Sequence, residues 1–328
     1  MLYGGLNYSA AMVNAYVGIL TKKTEYNGIH KGMNMEHPDY NSPVELKNFL
    51  DEHGFAMQKK FGQNFMVNGD ARRKIIDELA PAENELIWEV GPGLGCMTEE
   101  IMNRGAIVNA FEIDKGFISL LHQFFEDREK NGKFSITEGD VLKTWKKQYA
   151  ASAAKPSKLF GNLPYNIAAT FIAETITEGL LFDKCVFTVQ KEVTERIAAA
   201  SGTENYSAFS VLCQWGYDVK KGIVLSSGNF WPRPNVASQA VTLKKKEVPL
   251  VCRDNKLFVR VVHALFAARR KTLFNNIKPL LLKGMDGEEI FAKCGISKNE
   301  RAENLSVQQF IAITDVLSES LSSAKIES

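Results

Sequence analysis

Glu85-Leu-Ile-Trp-Glu-Val-Gly-Pro-Gly-Leu-Gly95 is the stretch on which the fold turns. Its first half is short, mostly apolar and closed by glycine, which predicts a buried strand. Its second half puts glycine at 91, 93 and 95, so the chain can turn sharply and its backbone can come close to a ligand. The full GxGxxG fingerprint is not met, because Cys96 stands where the last glycine would fall. Taken alone, the loop also fits a turn that binds nothing.

Outward from it, the same alternation recurs. Candidate strands fall at 106–112, 134–138, 157–161, 183–189, 211–219 and 237–244, separated mostly by segments of helical length, with helices expected at 42–53 and 71–79 before them. Ser42 can cap the first helix and Pro43 suits its first position. Alternating strands and helices predict an α/β fold with a mainly parallel sheet covered on both faces. The last two strands are joined by a Gly/Pro/Asn-rich loop at 226–235 rather than by a helix, so an antiparallel edge hairpin is expected. Beyond Pro249 the apolar positions take helical spacing, Leu257, Val261, Val262 and Leu265, then Leu273, Ile277 and Leu280. The expected organisation is a disordered leader at 1–41, the α/β domain at 42–246 and a small all-helical domain at 247–328. The Ser-rich tail from Ser318 is expected to fray.

Two acids mark the strand ends that follow the glycine loop. Phe111-Glu112-Ile-Asp114 lies about 20 residues beyond it, the distance at which a carboxylate reaches ribose hydroxyls, and Glu112 is the better placed. Asp140, after the next strand, can accept a hydrogen bond from the amino group of an adenine. In open α/β sheets, ligands gather outside such strand ends.

Phe160-Gly-Asn-Leu-Pro-Tyr165 closes the following strand at the same edge. An exocyclic adenine amine is a poor nucleophile, because its lone pair is conjugated with the ring; a catalyst must position it and favour its tetrahedral form. The Asn162 side-chain oxygen and the Leu163 carbonyl are acceptors for the two amino hydrogens. Pro164 fixes the turn and brings no donor. Tyr165 offers a face for the unstacked base. As an isolated motif the run also reads as a plain strand-ending turn; its position after the acids is what points to chemistry.

Composition bounds the remainder. With 45% hydrophobic and 24% charged residues the chain is an ordinary globular protein, and a net charge of +2 does not by itself argue for nucleic acid. Five cysteines, widely separated and without a CxxC pair, argue against a disulfide framework and a zinc site, and the histidines show no metal spacing, so no metal is expected. No membrane span is expected, for want of a long apolar run, and a reducing cytoplasm fits the cysteines best. Between Arg253 and Lys278 stand seven Lys or Arg residues against the single acid Asp254. They include Arg269, Arg270 and Lys271, and make either a phosphate-contacting surface or a solvated helix face.

With Lys60-Phe-Gly-Gln-Asn-Phe65, Gly161-Asn-Leu-Pro-Tyr-Asn-Ile167, Gln190-Lys-Glu-Val193, Arg269-Arg-Lys271 and Arg301-Ala-Glu-Asn-Leu-Ser306 beside the glycine loop, the chain resembles the ribosomal RNA adenine N6-dimethyltransferases, most closely the bacterial small-subunit (KsgA) type, from about Lys59 to Phe310. The resemblance implies a Rossmann-like class I methyltransferase sheet. It implies S-adenosyl-L-methionine as cofactor, held by Asn64, Met66, Gly91, Glu112, Asp140 and Asn162, with Met66 where leucine is usual. Phe187 matches a family aromatic near the target base, and also reads as a core strand residue. The implied reaction is dimethylation of two adjacent adenosines in the 3′-terminal hairpin of 16S ribosomal RNA, within an immature 30S subunit, by a monomer. Asn235 and Ala237 depart from the Lys and Asp common in the family. Three other readings stay open: the related large-subunit enzymes, a non-catalytic assembly factor on the same fold, and, from the glycine loop alone, a nicotinamide oxidoreductase.

Overall fold

The computed structural model describes residues 36–55, 64–163 and 165–326, and Glu36–Ser328 form one compact unit. Helix α1 (Pro43–Glu52) starts as expected: Ser42 accepts from the Glu45 amide and Pro43 takes the first turn. The two-residue strand β1 (Phe65–Met66) precedes α2 (Gly69–Leu79), capped by Asn68. There follow β2 (Leu86–Val90), α3 (Cys96–Met102), β3 (Ile107–Glu112), α4 (Lys115–Phe124), α5 (Glu126–Lys130), β4 (Phe134–Glu138), α6 (Val141–Ala151), β5 (Lys158–Asn162), α7 (Tyr165–Thr177), β6 (Lys184–Gln190) and α8 (Lys191–Ile197).

The main sheet runs β4-β3-β2-β5-β6-β9-β7, with β7 at Tyr217–Leu225 and β9 at Ser238–Lys245. Strand β9 is antiparallel to both its neighbours, β6 and β7, and the pairings among β4, β3, β2, β5 and β6 are parallel. The strand order reverses between β2 and β5, and Val90 pairs with Gly161 there. The glycine loop and the Asn162 turn therefore leave the sheet side by side at the switch point, where open α/β sheets bind ligands.

One correction concerns 211–219. The chain is helical over α9 (Ala208–Gly216) and β7 begins only at Tyr217. Helix α9 is apolar on several sides because Val211 and Leu212 join one buried cluster while Cys213 joins another. A run buried on both sides carries no helical periodicity to read. The second correction is at the amino end: of the expected leader, residues 1–35 lie outside the described residues, but Tyr40 is buried and donates its hydroxyl to the Leu94 carbonyl at 2.8 Å.

Trp88, fully buried on β2, anchors the core against the rings of Phe111, Phe182 and Tyr149. After β9 the chain forms α10 (Asn255–Phe266), α11 (Leu273–Ile277), α12 (Gly287–Lys293) and α13 (Val307–Ile326). These pack around Phe258, Phe291 and Phe310. Helix α13 runs through the tail that composition alone leaves to fray.

Candidate active site

Gly91, Gly93 and Gly95 all have positive φ, at 72°, 57° and 86°, a region costly for residues with a Cβ. Space is equally short. A Cβ on Gly91 would lie 3.2 Å from Leu163 Cδ2 and 3.9 Å from the Asn162 carbonyl, and one on Gly93 would lie 3.2 Å from the Phe65 ring. The glycine loop is thus flanked by the turn after β5 and by β1, and closed from behind by Tyr40.

Glu112 ends β3 with only 7% of its surface exposed. Its Oε1 accepts from the amides of Ile113 and Asp114 at 2.8 and 2.9 Å, and its Oε2 from Gly93 at 3.3 Å. Burial pushes its carboxyl up to about 7, and the neighbouring Asp114 charge adds to this, while the three amides oppose it. Glu89, one strand over, is pushed up to about 8 by burial, with the Glu112 charge adding to it. Thr98 pulls the other way, but too loosely for a hydrogen bond: its hydroxyl and Glu89 Oε2 have no partner. Asp140 caps α6 with Oδ1, accepting from Leu142 at 3.0 Å, and its Oδ2 lies 4.0 Å from Lys143. Ile113, which sequence reasoning passed over, is a large apolar side chain left 39% exposed beside Glu112. No sequence signal marks that exposure.

Asn162 ends β5 and donates its Nδ2 to the Asn64 carbonyl at 3.2 Å. This fixes which end of the amide is spent and leaves the oxygen as the acceptor on offer. Gly161 leaves room for Leu163, whose Cδ1 would lie 3.0 Å from any Cβ there. Residues 60–63 and Pro164 lie outside the described residues, as does the side chain of Tyr165; Tyr165 is the first residue of α7.

Met66 is buried, and its carbonyl accepts from the buried Arg72 guanidinium at 2.7 Å. Strand β1 pairs antiparallel with β8 (Phe230–Trp231), inside the loop between β7 and β9. Neither strand shows in the sequence, because two-residue strands leave no periodicity. Phe187 pairs with Gly161 across β5 and β6 and is fully buried. Its burial suits a core residue, and it lies against Gly161, the residue before the Asn162 turn, with its ring 3.4 Å from where a Cβ at 161 would stand.

The basic residues lie apart in the helical region. Arg269 Nε donates to Glu303 at 2.6 Å and its guanidinium also reaches the Glu204 carbonyl. The motifs around residues 269 and 303 therefore hold each other, and Arg269 is a brace. Arg270 and Lys271 are exposed and, among the described residues, unpaired. Among the described residues, no group of His, Cys, Asp and Glu could hold a metal ion, and no helix is long and apolar enough to cross a membrane.

Comparison with known proteins agrees with this geometry. The family model "Ribosomal RNA adenine dimethylase" matches residues 54–319. A "Ribosomal RNA small subunit methyltransferase A" from Treponema denticola is 44% identical over 292 residues, spanning 88% of this chain and 99% of that protein. One from Borreliella burgdorferi is 39% identical over 279 residues, spanning 85% and 95%. Among solved structures, a dimethyladenosine transferase from Plasmodium falciparum superposes with a TM-score of 0.62 at 22% identity, over 75% of this chain and 94% of that one. The 23S rRNA methyltransferase ErmE superposes with 0.55 at 17%, over 78% and 100%. At those identities the structures speak for the Rossmann-like methyltransferase fold. On the family match and the identity to its relatives, the chain belongs to the ribosomal RNA adenine dimethylase family.

Proposed function

We propose that this protein dimethylates the N6 amino groups of two adjacent adenosines in the 3′-terminal hairpin of 16S ribosomal RNA, with S-adenosyl-L-methionine as donor, on an immature 30S subunit. It acts as a monomer in the cytoplasm. The observation that carries the reading is the closeness of Gly91 to the Asn162 carbonyl and Leu163, which joins a nucleotide-binding loop to a pair of amine acceptors.

The residues present fit the cofactor. The Gly91–Gly93 cradle is one that a Cβ would fill, Glu112, hydrogen-bonded to Gly93 in that loop, offers a carboxylate for ribose hydroxyls, Ile113 offers an apolar face and Asp140 an acceptor. Asn64, Met66 and Asn162 complete that site. When bound, the cofactor supplies an activated methyl group. Asn162 Oδ1 and the Leu163 carbonyl accept from the target amine and favour its tetrahedral form. Tyr165 stacks the unstacked base, and Pro164 holds the turn without adding a donor. Phe187 supports the turn through Gly161. Arg270 and Lys271, in a helical RNA-binding domain taken as 247–328 beside the catalytic domain 42–246, contact phosphates, with Arg269 holding their loop.

Mass spectrometry of ribosomal RNA from cells with and without the gene tests this. Dimethyladenosine should vanish from the small-subunit hairpin without the gene; unchanged small-subunit dimethyladenosine refutes the proposal.

A further inference from the structure

We propose that Trp231 and Arg233 form a subsite for single-stranded RNA beside the reacting turn, the indole stacking a nucleotide that flanks the target adenosine and the guanidinium meeting its phosphate. This rests on the RNA-methylating reading above.

Three observations carry it. First, the loop between β7 and β9 is built onto the active site. Phe65 pairs with Trp231 and Met66 with Phe230, and the Val67 amide donates to the Asn229 carbonyl at 2.9 Å. The same short segment touches Gly93 through Phe65 and holds Asn162 through the Asn64 carbonyl. Trp231 therefore has a fixed position relative to both the cofactor loop and the amine acceptor.

Second, the indole is backed by Phe65 and part-exposed. The two rings stack with centroids 6.3 Å apart and planes 23° apart. A flat aromatic held on one side and part-exposed to solvent suits a nucleobase of any identity, since every base has a π-face. Val224 and Val236, on the arms of the loop, are also exposed, so its surroundings are apolar.

Third, the loop's charge is a single point. From Gly222 to Leu243 the only charged residue is Arg233, which is exposed and has no ion-pair or hydrogen-bond partner among the described residues. Asn235 and Ala237, both exposed, carry no charge, so Arg233 is the loop's one group able to meet a phosphate electrostatically. One aromatic face beside one unpaired guanidinium matches one nucleotide of a single strand.

The test uses the full chain with Trp231→Phe, Trp231→Ala and Arg233→Ala. Trp88 and Trp145 are buried and Trp215 bonds the Leu250 carbonyl, so Trp231 should dominate fluorescence quenching when short oligoadenylate is added. Quenching in the wild type and its loss in Trp231→Phe are expected. In methyl transfer to 30S particles, Trp231→Ala should raise the KM for RNA about tenfold, while the cofactor Kd stays within about twofold. Arg233→Ala should lower the slope of log affinity against log salt by about one. Quenching that persists in Trp231→Phe, or a wild-type KM in Trp231→Ala, overturns the subsite. If the wild type is quenched but transfers no methyl to ribosomal RNA, the functional reading fails and the subsite stands.

Discussion

The Asn162 amide nitrogen donates to the main-chain oxygen of Asn64 at 3.2 Å, across 98 positions of sequence. The bond ties the end of β5 to the segment that flanks the glycine loop, and it orients the acceptor oxygen of Asn162. Asn162→Ala should therefore lower kcat by about a hundredfold to a thousandfold, the loss usual when one preorganised group at a reacting centre is removed. Its stability cost should be only about 1 kcal/mol, for one part-buried hydrogen bond. Single-turnover transfer and urea melts separate the two. A stable variant with undiminished transfer would remove Asn162 from the chemistry.

If the proposed cofactor site is right, Glu112 should make cofactor binding pH-dependent. Its carboxyl sits at about 7 in the folded protein against an ordinary 4.5, so the fold keeps a proton that the unfolded chain releases. The stability this confers is complete below the ordinary value and is lost as pH rises to about 7. Ribose hydroxyls donate to the ionised form, so cofactor affinity should rise as the folded protein's Glu112 ionises around pH 7, by about fivefold to tenfold between roughly pH 6 and pH 8. Calorimetric titration checks it: Glu112→Gln should bind weakly and without that slope, and a flat wild-type profile would contradict the assignment.

Much of this site was legible in the sequence, for physical reasons. The runs at 85–90, 134–138 and 157–161 are short, carry apolar residues at strand spacing or in a row, and are closed by turn residues, and each lies within a residue of its strand. Strand-end acids and glycines announce themselves because few residue types suit those positions. The helix at Ala208–Gly216 did not, since it is buried on two sides and its capping box pairs Ser207 with Ser210 rather than with Glu or Gln. Pairings such as Phe65 with Trp231, and the burial of Tyr40 and Arg72, depend on contacts distant in sequence and leave no local pattern.

Gly95 and Gly91 should respond differently to alanine. A Cβ on Gly95 would fall 2.7 Å from the Phe125 ring and 3.0 Å from Leu121, so Gly95→Ala combines a crowded core with a left-handed backbone and should cost about 2–4 kcal/mol. Gly91→Ala meets only the end of the Leu163 side chain at 3.2 Å. It should cost about 1–2 kcal/mol, mainly from its backbone, and weaken cofactor binding more than stability. Denaturant midpoints and cofactor titration compare them; equal stability losses would refute the packing argument.

Phe187 distinguishes support from contact. As a fully buried core residue, Phe187→Ala should lose about 3–5 kcal/mol, while Phe187→Leu should keep methyl transfer within a few-fold. A stable Phe187→Leu protein with transfer abolished would instead favour a direct role at the target base.

Arg269 and Arg270 are neighbours with different expected phenotypes. Arg270→Ala and Lys271→Ala should each weaken RNA binding and lower its salt slope by about one. Arg269→Ala removes the tie to Glu303 and the Glu204 carbonyl, so it should loosen the 200–204 loop, visible as faster amide exchange there. Unchanged exchange would reduce Arg269 to a phosphate contact.

The Gly91 loop and the Asn162 turn are proposed to make one site for methylating adenine amines of small-subunit RNA. The most direct test is transfer from a labelled methyl donor by the purified protein to separated small- and large-subunit particles lacking the modification, with nuclease digestion and mass spectrometry of the product. Dimethyladenosine is expected at two adjacent positions of the small-subunit 3′-terminal hairpin, abolished by Asn162→Ala. Label confined to large-subunit RNA, or small-subunit dimethylation that survives Asn162→Ala, would contradict it.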